Sequence, residues 1–153
     1  MRKSILLIFA LLFVLAGCQL FSEKKGFEIT NLSLSQEEGV TFQIKVHKLE
    51  ISENDIISYG VVIVKEKVNE IEDLTFDKKD SFLESENLSF FLQIDEENYQ
   101  TDYSLRAYVK YLDGEEEKYL YSESFEVFNL YSLAKESNND FAKKVVRIVE
   151  EKK

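Results

Sequence analysis

Among the side chains of this 153-residue chain that can act as nucleophile, ligand or proton carrier, Cys18 stands in the most specific setting. It is the only cysteine and follows Leu15-Ala16-Gly17. A thiol is readily alkylated, and small residues ahead of it leave the backbone open to a peptidase. A lone cysteine leaves no internal disulfide and no cysteine-based zinc site to be formed. His47 is the only histidine. It alternates with Val46 on the polar side of a predicted strand, without His-x-x-x-His or Asp-x-Asp-x-Asp-Gly spacing nearby, and reads as a solvated side chain rather than a triad member or metal ligand. Carboxylates cluster at Glu37-Glu38, Asp95-Glu96-Glu97 and Glu115-Glu116-Glu117. Two of them about 5 to 10 Å apart would suit glycoside hydrolysis, but 29 acidic residues make such proximity uninformative. Each cluster falls in a predicted turn, where charge keeps the chain in solution. The turn from Asp95 to Asp102 is the best place for a loose calcium site. Five glycines supply neither a phosphate-binding loop nor a Gly-x-Ser-x-Gly elbow. No catalytic residue, metal or cofactor is expected.

The setting of Cys18 extends to the start of the chain. Arg2 and Lys3 precede an apolar run from Ile5 to Leu15, about the length of a signal-peptide core and short of the ~20 residues a spanning helix needs. Leu15-Ala16-Gly17-Cys18 resembles the lipobox of bacterial lipoproteins. The resemblance implies a cleaved signal over residues 1–17, cut between Gly17 and Cys18, with diacylglyceryl on the Cys18 thiol and a lipidated tether over 18–26. Several acyl chains, at about 0.8 kcal/mol per buried methylene, would hold the protein on the bilayer far more firmly than one. Membrane lipid, met through acylated Cys18, is thus the first expected partner, and the location is extracytoplasmic, either surface-exposed or periplasmic.

Charge narrows the other partners. The chain carries 19 basic and 29 acidic residues, and loss of Arg2 and Lys3 with the signal leaves 17 against 29, a net charge near minus twelve. Nucleic acid is not expected, because a polyanion is repelled by such a field unless basic residues cluster, and the basic runs are only pairs. The same field keeps the domain from lying flat on anionic lipid.

The residues after the tether read as strands. Phe27 and Ile29, then Leu32 and Leu34, begin the pattern. Val40, Phe42, Ile44 and Val46 alternate with Thr41, Gln43, Lys45 and His47 over a period of two, the mark of a sheet with one wet face. Ile56 to Lys65 contains the β-branched run Val61-Val62-Ile63-Val64, a strand buried on both faces or central in its sheet. Asn69 to Ser85 scatters Ile71, Leu74, Phe76, Phe82 and Leu83 among charges and reads as an irregular edge with one short strand. Leu88, Phe90, Leu92 and Ile94 alternate next. Tyr103, Leu105, Ala107, Val109 and Tyr111 then share one face, with Arg106, Tyr108 and Lys110 on the other, up to the hairpin signal Asp113-Gly114. A return strand is predicted from Lys118 to Phe128. After that the period lengthens: Leu130, Leu133 and Ala134 suit one helix, Asn138-Asn139 interrupts, and Asp140 is placed to cap a second over Phe141 to Val149. About seven strands with short polar turns predict an antiparallel two-sheet sandwich over 27–128, followed by a helical segment over 129–153.

Tyr103-Ser104-Leu105-Arg106-Ala107-Tyr108-Val109, then Asp113-Gly114 and Tyr121-Ser122-Glu123, resembles the last hairpin of bacterial fibronectin type III domains of the immunoglobulin-like sandwich class. Tyr59-Gly60-Val61-Val62 is similar to their third strand. The resemblance implies that Tyr103 is a tyrosine corner, with its ring in the core and its hydroxyl returned to the backbone. The chain departs from the pattern in having no tryptophan, whose place Phe42 can fill, and no Leu-x-Pro ahead of the corner. Such sandwiches serve as spacers, adhesion modules or binding surfaces, and the fold by itself names no ligand.

The tyrosines late in the chain remain candidates for recognition, since a tyrosine offers contact area with a polar tip. Tyr108 is foremost because its alternation sets it opposite the core face. The expected function is a non-enzymatic binding or interaction module on the cell surface, contacting an envelope protein or a glycan. One alternative is a lipoprotein that binds a small molecule or glycan for a membrane system, which requires a pocket of several hundred cubic ångströms. The other is a cell-envelope hydrolase.

Overall fold

A computed structural model describes residues 24–152, so Leu15, Ala16, Gly17 and Cys18 lie outside the described residues. The chain is mainly β. Eight strands, β1 (Phe27–Leu34), β2 (Gly39–Val46), β3 (Ile56–Val64), β4 (Ser81–Ser85), β5 (Ser89–Gln93), β6 (Asp102–Asp113), β7 (Glu116–Tyr121) and β8 (Glu126–Asn129), are followed by helices α1 (Leu130–Lys135) and α2 (Asp140–Glu151). All pairings are antiparallel. One sheet has the order β1-β2-β5 and the other β4-β3-β6-β7, with β8 also on β6. The fold is the antiparallel β-sandwich with a helical C-terminal segment that the alternation predicts.

Inward residues of both sheets form the main core. Val40, Phe42, Ile44 and Phe90 come from the first sheet, with Val61, Ile63, Tyr103, Leu105, Ala107 and Val109 from the second. Phe42 is 1% exposed and stacks on Phe90 at 5.6 Å between ring centroids. The two helices belong to this same core: Leu130, Ala134, Phe141, Ala142, Val145 and Val149 are all buried in it. Each starts at an asparagine cap. The Asn129 side chain accepts from the Ser132 N–H at 3.2 Å, and that of Asn139 accepts from the Ala142 N–H at 2.7 Å. The second cap is therefore Asn139, with Asp140 the first helical residue; either side chain suits a cap, and Asn139 has the extended backbone the position requires.

The return strand is interrupted. Tyr121 faces Tyr108 and Glu126 faces Leu105, so four residues, 122–125, stand opposite two of β6. Ser122 fixes this bulge: its N–H donates to the Ala107 carbonyl, its hydroxyl to the Ser124 carbonyl, and its own carbonyl accepts from Arg106 Nε at 2.8 Å. Beyond the bulge Phe128 turns into the core, while Val127 stays 38% exposed.

The outer face of the five-stranded sheet is covered by the chain itself. Residues 65–80, between β3 and β4, cross it and bury Val68 and Leu74 against Val62, Val64 and Tyr108, with Phe76, Tyr119, Tyr121 and Phe125 at the margin. The strap is tied by backbone polar groups: Val68 N–H donates to Ser104 Oγ, Ser104 Oγ to the Glu66 carbonyl, and Phe76 N–H to Tyr121 Oη at 3.0 Å. Arg106 Nη1 reaches the Ile71 and Leu74 carbonyls at 3.1 and 3.4 Å. This second core explains why Val61 to Val64 are buried on both faces. At the opposite end, the sandwich takes hold of the chain before β1 begins: Gly26 N–H donates to the Lys48 carbonyl at 3.0 Å and His47 N–H to the Gly26 carbonyl at 2.9 Å.

Candidate functional site

Tyr108 does not present a recognition surface. It is fully buried, with Phe76 and Tyr119 edge-on at 5.8 and 5.5 Å and its hydroxyl donating to Glu84 at 2.8 Å. Alternation places its Cβ on the outward side correctly, but the strap covers that side. Burial, then the hydrogen bond to Glu84, pushes its phenol far above the ordinary value.

Tyr103 is placed as expected only in part. Its ring is 3% exposed and stacks on Phe128 at 5.4 Å. Its hydroxyl makes no hydrogen bond to backbone among the described residues, so the corner bond is missing; Phe128, brought inward by the bulge, fixes the ring by stacking instead. The contrast gives a paired expectation. Tyr103→Phe leaves the urea midpoint nearly unchanged, whereas Tyr108→Phe, which strips the Glu84 partner from a buried site, costs about 1 kcal/mol. Equal losses in the two variants would overturn the assignment.

Of the other late tyrosines, Tyr99 is buried against Phe141, and Tyr119 and Tyr121 belong to the strap core. His47 Nε2 lies 3.0 Å from Glu28. The bonds from Lys24 and then His47 hold the Glu28 carboxyl below its usual range. Asp95, Glu96 and Glu97 are exposed, and no group of three or more potential metal ligands converges among the described residues.

Two concave or open features bear on binding. The first is a cleft of about 530 Å³ at the Gly26 end, between the edges of the two sheets, with Phe27, Leu49, Ile51, Tyr111 and Leu120 as apolar wall and His47, Ser122 and Ser124 among its polar groups. The second is the outer face of the β1-β2-β5 sheet, which no segment covers among the described residues. Here Asn31 Nδ2 donates to Gln43 Oε1 at 2.8 Å, Gln43 Nε2 to Ser89 Oγ at 3.4 Å, and the Ser33 and Thr41 hydroxyls bond at 3.2 Å. Beside them Phe91 is 37% exposed. Its ring comes close to Gly39, where a Cβ would stand 2.9 Å from Cε2 and Cζ, so only a residue without a side chain leaves room for it. A shallow groove of about 520 Å³ runs along Asn31, Ser33, Thr41, Gln43, Ser89 and Phe91. Alternation assigns Ser89, Phe91 and Gln93 to the wet face, but the contact with Gly39 joins two strands distant in sequence and leaves no local signal.

No protein-family model matches the chain, and neither does any curated protein or solved structure.

Proposed function

We propose that the chain is an extracytoplasmic lipoprotein, held at the bacterial membrane through acylated Cys18, whose sandwich serves as a non-enzymatic binding module for a component of the envelope. The observation that carries this reading is the asymmetry of the two outer sheet faces. One is closed by the chain's own strap, at the expense of ordering residues 65–80, while the other, among the described residues, is left open as a pre-ordered array of amides, hydroxyls and one aromatic ring. Side chains held by one another lose little freedom when a ligand arrives, which is what a binding face requires. The charge pattern before Cys18, the apolar run and the lipobox support the anchor.

A second reading has its own observation. The cleft beside Gly26 has the volume and mixed lining of a small-molecule site, and it supports a lipoprotein that receives a ligand close to the membrane.

The test is in-cell crosslinking and mass spectrometry of the full chain beside Cys18→Ser. The expected result is a lipid-modified peptide beginning at Cys18, membrane fractionation, and capture of an envelope component, all lost in the variant. An unmodified Cys18 with unchanged fractionation would overturn the anchor.

A further inference from the structure

We infer that the outer face of the β1-β2-β5 sheet binds a neutral oligosaccharide, stacked on Phe91 and hydrogen-bonded by Asn31, Ser33, Thr41, Gln43 and Ser89. This rests on the reading of the chain as a binding module and names its ligand class.

Three features lead there. The first is charge: in a chain with 31% charged residues, the eight residues lining this groove carry none, with Lys45 and Glu28 standing farther along the same face. An uncharged ligand loses no ion hydration there, while a polyanionic glycan meets the repulsive field of the whole domain. The second is hydrogen-bonding chemistry. A sugar hydroxyl is both donor and acceptor, and amides and hydroxyls supply both roles side by side. The internal bonds use one hydrogen of each amide group, so both amides keep a second donor and Asn31 Oδ1 remains available as an acceptor. The third is the ring. Phe91 has Cε2 and Cζ close to Gly39 and is partly open to solvent, so aromatic surface is offered to the polarised C–H groups of a pyranose. A protein partner is the poorer fit, because the centre of a protein interface gathers several apolar and aromatic anchors, and this face has a single one.

The size is suitable too. Three strands about 4.8 Å apart give a strip roughly 10 Å across, enough to seat a short oligosaccharide along β2.

The experiment is titration calorimetry of the full chain, purified from membranes, with chitotetraose, cellotetraose and maltotetraose as probes. At least one binds the native chain. Phe91→Ala weakens that binding by about tenfold, the size of one lost aromatic contact. Gln43→Ala weakens it severalfold, and Phe91→Tyr, which keeps the platform, restores it. Matching thermal transitions for the variants exclude unfolding as the cause. Binding that survives Phe91→Ala overturns the placement. Absence of binding by all three sugars, while crosslinking captures a protein through this face, overturns the ligand class and leaves the binding module standing. An unmodified Cys18 together with no capture removes the underlying reading as well.

Discussion

Ending the chain at Asn139 is expected to abolish the folded domain. The deletion removes Phe141, Ala142, Val145 and Val149, each no more than 6% exposed and all packed into the sandwich core. Burial of the three larger side chains is worth about 1.5–3 kcal/mol apiece, so roughly 6 kcal/mol goes with them. That approaches the whole stability of an ordinary domain, about 5–15 kcal/mol. It also uncovers Tyr99, which packs edge-on against Phe141 at 6.0 Å. The surface pairs of Lys144 with Glu38 and Lys152 with Glu96 contribute little beside this. Circular dichroism and size-exclusion chromatography decide the matter: the truncated chain shows no cooperative transition or elutes as aggregate. A sharp transition at the native midpoint would mean that α2 is an appendage.

Gly60→Val has the next largest effect. A Cβ at Gly60 would stand 2.2 Å from Tyr108 Cζ, 2.4 Å from its hydroxyl and 2.6 Å from the Leu83 carbonyl oxygen. Tyr108 crosses the β3 backbone at this glycine to reach Glu84, so the glycine marks a close approach and not a turn. The neighbours are a fully buried ring and a paired strand, neither free to retreat. Overpacking of this kind costs about 3 kcal/mol or more. In urea unfolding, Gly60→Val combined with Tyr108→Ala costs less than the two changes summed, because the second removes the obstacle met by the first. Strict additivity would show that the strain lies elsewhere.

These two sites also show where sequence suffices and where it does not. Strand alternation is local, and Val40, Phe42 and Ile44, or Leu105, Ala107 and Val109, enter the core as their period dictates. The β-branched run at Val61 to Val64 even signals a face closed on both sides. What closes it is not local. Ile71, Leu74 and Phe76 have neither period two nor 3.6, because a strap takes its order from the surface below, through bonds such as those from Arg106 to two of its carbonyls. Alternation therefore gives Tyr108 its side of the sheet but not its environment. The bulge at Ser122 contains neither glycine nor proline, and it alone decides that Phe128 and not Val127 meets Tyr103. The open sheet face was legible as wet; its order, made by side chains meeting across three strands, was not.

The grip on Gly26 sets a mechanical limit. In a chain fastened at Cys18, six residue steps separate the anchor from Lys24, which is already bonded to Glu28, and full extension spans about 20 Å. Such a leash is shorter than the sandwich is long. On the proposed anchoring, the end of the sandwich that carries Gly26 and the 47–55 loop stays within about 20 Å of the headgroups. A ligand of the β1-β2-β5 flank would then be met close to the membrane, within the reach that this short leash sets.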